Sequence, residues 1–211
     1  MLSFQLKIGW QVKQLINTEK TYGNEIFTSL TCAKEVISGK EFYDCRFESC
    51  DFNEAQFLNC EFNNCTFVAC DLNNLNVKNS KFLEVEFLDC KIIGVNWTLA
   101  YWRGMLLAAP ITFKRCMINS STFYGLSLEK IIFEDCRSHY VDFRECNLSG
   151  ANFSNSDLRE SLFNNTNLTN ANFKEAENYD INIKNNVIKN ATFCRYEAIR
   201  LLSSLDINLI D

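Results

Sequence analysis

The chain carries one proline, one histidine and seven glycines in 211 residues. So little proline and glycine, beside many Asn, Cys and Phe, argues against both disorder and a conventional α/β fold. The single histidine, His139, would have to serve any Ser-His-Asp or Cys-His arrangement alone. Its neighbours Arg137, Ser138 and Tyr140 give it no catalytic support, and its place in the pattern described below predicts an exposed ring. Glycine-rich phosphate loops are missing, and so are the closely spaced cysteine pairs that a zinc site needs. Neither catalysis nor a cofactor nor a metal is expected. No apolar run reaches the roughly 20 residues that span a bilayer. No basic region leads into an apolar run near residue 1, so the cytoplasm is the expected location.

What the chain has in excess is phenylalanine and cysteine. Phe42, Phe47, Phe52, Phe57, Phe62 and Phe67 fall five residues apart, a spacing that belongs to neither helix nor strand. The beat continues through Leu72, Val77, Phe82, Phe87, Ile92 and Trp97. It resumes one residue out of step at Phe113 and recurs at Phe123, Phe133, Phe143, Phe153, Phe163 and Phe173. Sixteen of the 18 phenylalanines lie in the two runs that start at Phe42 and Phe113, the second extended to Phe193, so the period marks a repeat architecture. Two residues before the large side chain sits a small one, and nine of the 11 cysteines occupy that slot: Cys45, Cys50, Cys60, Cys65, Cys70, Cys90, Cys116, Cys136 and Cys146. A buried reduced cysteine behaves as a small hydrophobe, which accounts for the slot without redox chemistry.

If the large and small positions point inward, the other three face out. The residue before the large one is indeed mostly polar, as at Glu41, Asp51, Gln56, Glu61, Asp142 and Asn152. Short extended segments joined by turns then wind into a square coil with four five-residue sides. Stacked circuits predict ladders at 20-residue intervals, such as Phe123, Phe143 and Phe163, or Leu128, Leu148 and Leu168. Seven circuits at about 4.8 Å make a rod of roughly 34 Å.

This pattern resembles the pentapeptide-repeat family, with motif A(D/N)LXX, most closely at Ala151-Asn152-Phe153-Ser154-Asn155, Ser156-Asp157-Leu158-Arg159-Glu160 and Ala171-Asn172-Phe173-Lys174-Glu175. The resemblance covers about residues 37–193 and implies an all-β, right-handed quadrilateral β-helix. The ending, from Tyr179 to Leu202, is similar to the Qnr, MfpA and McbG branch. That likeness implies a DNA mimic that binds DNA gyrase or topoisomerase IV and protects it from quinolones or a microcin-like toxin. A non-catalytic scaffold for an unrelated protein is the alternative. Net charge is −5, with ten acids against four bases over residues 41–97 and +2 over residues 1–40. That balance disfavours direct binding to nucleic acid and suits a basic protein surface.

Five segments follow. Residues 1–36 are an extension with degenerate first repeats, in which Phe4, Leu6, Ile8, Trp10 and Val12 alternate as in a strand. Residues 37–97 and 113–193 are the two repeat blocks. Residues 98–112 contain the phase slip. The slip is either a one-residue insertion that bends the coil, with Trp97 and Trp102 in the core, or a contact loop presenting Tyr101, Trp102, Arg103 and Met105 to a partner. Residues 194–211 switch to helical spacing with Ala198, Ile199, Leu202 and Leu205 on one face, then a short strand at Ile207, Leu209 and Ile210. This tail caps the coil or, as the family branch implies, pairs two copies through Ile199, Leu202, Leu205 and Ile207.

Overall fold

The computed structural model describes residues 19–102, 111–205 and 207. The strand expected over residues 1–13, and Arg103, Met105, Leu209 and Ile210, lie outside the described residues. Where the chain is described it winds into a parallel β-solenoid of about eight turns. At about 4.8 Å per turn the rod is roughly 38 Å long, one circuit more than the spacing predicted. The added circuit is the first. Thr21–Gly23, Ile26–Thr28 and Val36–Ser38 pair in parallel with Glu41–Tyr43, Arg46–Glu48 and Gln56–Leu58, so residues read as degenerate repeats form a complete turn. Tyr22, Phe27, Cys32 and Ile37 are all buried there.

Each side of the square follows from the beat. The large residue points inward, its two neighbours are half-buried, and the next residue forms an exposed corner. Every strand pair is parallel with a 20-residue register over the first block, as in Phe42↔Phe62↔Phe82. The core is therefore a set of ladders. In one of them Phe27, Phe47, Phe67, Phe87, Phe113, Phe133, Phe153, Phe173 and Phe193 stack face to face at 4.6–5.3 Å. Rings on adjacent sides of one circuit meet edge to face instead, as Phe47 and Phe52 do at 5.9 Å and 74°. Both arrangements suit the aromatic quadrupole.

The corners hold two features that composition hid. Twenty-six described non-glycine residues take φ between 50° and 64°, including Glu54, Lys130 and Tyr140. This left-handed conformation costs about 1–2 kcal/mol per non-glycine residue, so the stacked core must outweigh it at nearly every corner. The small slot does more than pack. Cys70 Sγ accepts from the Cys50 amide and donates to the Phe47 carbonyl, both at 3.4 Å. Ser80 Oγ bridges Cys60 and Phe57 at 2.9 and 2.8 Å, and Ser156 Oγ bridges Cys136 and Phe133 at 2.9 and 2.7 Å. Where the next circuit offers leucine or alanine, the turn closes on itself: Ala55 donates to Phe52 at 2.9 Å above Leu75, and Ala151 to Leu148 at 3.0 Å above Ala171. The cysteine slot is thus a hydrogen-bond bridge between circuits as well as a small apolar position. All 11 cysteines are free thiols and ten are buried. Burial pushes the Cys32 and Cys146 thiols up to about 12.

Two circuits break the count. Phe87 pairs with Phe113, an advance of 26 residues where other circuits advance 20. A one-residue insertion is therefore not the cause of the phase slip: one whole pentapeptide plus one residue is added. Near the far end Phe163 pairs with Ile181, an advance of 18, while Asn167↔Val187 keeps 20. The core resumes here through Tyr179 and Ile181, both at most 1% exposed, with Ile183, Ile188 and Phe193 half-buried against it. Asn186 closes the compensating bend by bridging the Thr166 amide and the Phe163 carbonyl at 3.0 and 3.1 Å.

Candidate protein-interaction surfaces

The long circuit is left at Trp97, whose ring is fully buried against Phe82, Phe87 and Phe113. Asn96 caps a short 3-10 turn over Trp97–Leu99 by accepting from the Thr98 amide. Trp102 is half-buried and its Nε1–H donates to the Trp97 carbonyl at 2.7 Å, so this ring is tied to the coil. Tyr101 differs. It is 42% exposed, and the Lys81 ammonium lies 5.6 Å from its ring centre. Of the four residues expected in a contact loop, two are described, and Tyr101 is the one that faces solvent.

Acidic ladders are short. Glu41 stacks on Glu61 and Asp51 on Asp71, but the third residue in each ladder is a lysine, Lys81 and Lys91. Several acids are also matched: Lys20 holds Glu41 at 2.7 Å, Lys81 holds Glu61 at 3.1 Å and Arg115 holds Asp89 at 2.7 Å. Asp51 and Asp71 instead accept from the amides of Asn53 and Asn73, which fixes the turn.

At the C-terminal end Glu197–Leu205 is a 3-10 helix. With three residues per turn, Ala198, Leu201 and Ser204 line up. Leu201 is buried and Ala198 packs on the core, while Ile199 and Leu205 are 55% and 37% exposed. The face expected from 3.6-residue spacing is therefore divided: Leu202 is half-buried, and Ile199, Leu205 and Ile207 remain uncovered.

His139 overturns the exposure read from its position. It is 6% exposed, its Nε2 lies 2.6 Å from Asp157 Oδ2, and Arg137 Nε donates to its Nδ1 at 3.4 Å. Its own amide donates to Asn119. Ring and backbone amide together tie three successive circuits, and the burial of the ring follows from neighbours 18 and 20 residues away that the local sequence does not announce. Asp157 is held below the usual carboxylate range: desolvation pushes it up, and hydrogen bonds from Asn178 and His139 outweigh that. Among the described residues no group of three or more ligating side chains could hold a metal, and no helix is long and apolar enough to cross a membrane.

A family model described as the pentapeptide repeat region matches residues 40–123 and 109–183. No curated protein matches the sequence. Among solved structures, a trypsin-treated variant of QnrB1, described as a plasmid-mediated fluoroquinolone resistance protein, aligns with a TM-score of 0.63. It is 20% identical and the alignment covers 88% of this chain and 100% of that one. A second trypsin-treated QnrB1 variant gives 0.55 at 22% identity, over 93% and 95% of the two chains. At these identities the likeness is one of fold.

Proposed function

The chain belongs to the pentapeptide-repeat family, and from that premise we propose that it is a non-catalytic DNA mimic that binds a type II topoisomerase, DNA gyrase first. What supports the reading above all is a rod of the QnrB1 architecture, spanning all of that chain, in which residues 41–97 carry ten acids against four bases. A groove built for duplex DNA expects regularly placed negative charge, and stacked circuits repeat their outward residues every 4.8 Å or so. In this reading Tyr101, Trp102, Arg103 and Met105 form a contact segment in the long circuit. The uncovered Ile199, Leu205 and Ile207, with Leu202, pair two copies end to end, which doubles the rod. The test is a gyrase supercoiling assay titrated with this protein, with and without a fluoroquinolone. Mimicry predicts inhibition at high protein and relief of drug-stabilised cleavage, both weakened by Tyr101→Ala. No change at saturating protein refutes it.

A second reading is a scaffold for an unrelated protein, and one observation favours it. The acidic ladders reverse sign at their third circuit, at Lys81 and Lys91, whereas duplex phosphates do not. Replacing both lysines by glutamine separates the two: a mimic gains affinity for gyrase, and a scaffold for another partner does not.

A further inference from the structure

The short circuit leaves a recess in the outer wall. Because Phe163 pairs with Ile181 two residues early, outward positions are missing there, and the C-terminal helix closes one side. The cleft encloses about 660 Å³, within the roughly 300–1,000 Å³ of ligand sites. Three arginines line it, Arg144 and Arg159 from successive circuits and Arg200 from the helix. None is fully used. Arg144 spends Nε and Nη2 on Asp142, Arg200 divides itself between Glu197 and Asn178, and Arg159 reaches Asp157 only at 3.8 Å. A guanidinium carries five N–H donors, so each has donors left for a ligand.

Leu162 lines the same recess and is 47% exposed. The residues stacked in its ladder are Asp142, Thr122 and Asp180, so an apolar side chain here is an exception to the polar pattern. Further along this face Tyr124 is 43% exposed with Arg144 5.7 Å from its ring centre. Arginine and tyrosine are side chains that anchor protein partners, and the accessible leucine adds apolar surface that a partner can cover. Glu160 and Asp180 also line the cleft and have no cation within ion-pair distance among the described residues. They would repel a continuous polyanion while leaving room for a single carboxylate. That disfavours a nucleic acid backbone and favours a peptide.

We propose that this recess docks an acidic peptide segment of a partner protein, with a carboxylate on Arg159 and Arg144 and a neighbouring aliphatic side chain on Leu162. The surface is separate from the acidic first block, so the proposal stands or falls independently of gyrase binding. The probe is a short fluorescein-labelled peptide with one aspartate beside one leucine in an otherwise neutral sequence, followed by anisotropy, with a lysine-for-aspartate version as control. The acidic probe is expected to saturate and the lysine version not to bind. Arg159→Glu weakens binding by about tenfold or more, Leu162→Ser weakens it, and Lys78→Glu, on the same face outside the recess, leaves it unchanged. Circular dichroism establishes that the variants are folded, and Arg144→Gln replaces Arg159→Glu if that one is not. Absence of saturation up to millimolar probe overturns the proposal. So does binding indifferent to Arg159 and Leu162, or full displacement of the probe by inorganic phosphate or duplex DNA.

Discussion

Replacing Cys70 separates a packing slot from a hydrogen-bond bridge. Its sulfur lies between the Phe47 carbonyl and the Cys50 amide, and its own amide donates to Cys90 Sγ at 3.4 Å. In Cys70→Ser the hydroxyl can make the bonds that Ser80 makes two sides further on, at 2.8 and 2.9 Å. Stability should stay within about 0.5 kcal/mol of the parent, since one neutral bridge replaces another. In Cys70→Ala the lost sulfur leaves a small cavity worth about 1 kcal/mol. The Phe47 carbonyl and Cys50 amide also lose their partner. Arg46–Glu48 is held in a ladder on both sides, by Ile26–Thr28 and Thr66–Val68, so this turn cannot relax to the closed form seen at Ala55. An unsatisfied buried pair adds about 1–3 kcal/mol, so the total should be about 2–4 kcal/mol. Urea unfolding followed by the fluorescence of buried Trp97 measures it. Amide exchange at Cys50 reports the bridge directly, protected in the serine variant and not in the alanine one. If alanine is as stable as the parent, or serine costs as much as alanine, the bridge contributes nothing and the slot is apolar packing alone.

Phe143→Ala removes a fully buried ring stacked on Phe123 and Phe163 and edge-on to Phe133 and Phe153; it should cost about 3–5 kcal/mol in urea unfolding. Asn152→Ala, which loses bonds to Ser154 and Asn172, should cost about 1 kcal/mol, and equal losses would contradict the inward assignment. With ten buried thiols and Cys194 partly exposed, a thiol reagent should label at most one cysteine in the native state and all 11 on unfolding; several fast-reacting thiols in the folded protein would refute this. Asp142 is held low, chiefly by its hydrogen bond from Arg144. A depressed carboxylate contributes stability that is present above its unfolded value near 3.9 and lost as pH falls through the folded one. The difference between parent and Asp142→Asn should therefore vanish in acid, and a gap unchanged down to pH ~2 would contradict it. Ile199→Asp should give monomers by light scattering if the C-terminal ends pair, and a parent protein already monomeric at micromolar concentration rejects the pairing.

The five-residue beat alone determined the coil, its four sides and its Phe ladders, because in a solenoid each inward position is set by a local repeat and by copies of itself one circuit away. Even the slot preference for cysteine was plain at Cys45, Cys50, Cys60 and Cys65. What the slot does was not legible, since the atoms Cys70 bridges belong to residues 20 and 23 positions earlier. Nothing in Glu54 or Tyr140 as residue types announces a left-handed corner, which the stacked neighbours impose. The phase slip at residues 98–112 could be read only modulo five, so one extra residue and six looked alike until Phe87 was seen to pair with Phe113. The 18-residue circuit, the burial of His139 and the gathering of Arg144, Arg159 and Arg200 share that cause. A repeat sequence states where the chain turns, and only the stacked structure decides which turns lie on top of one another.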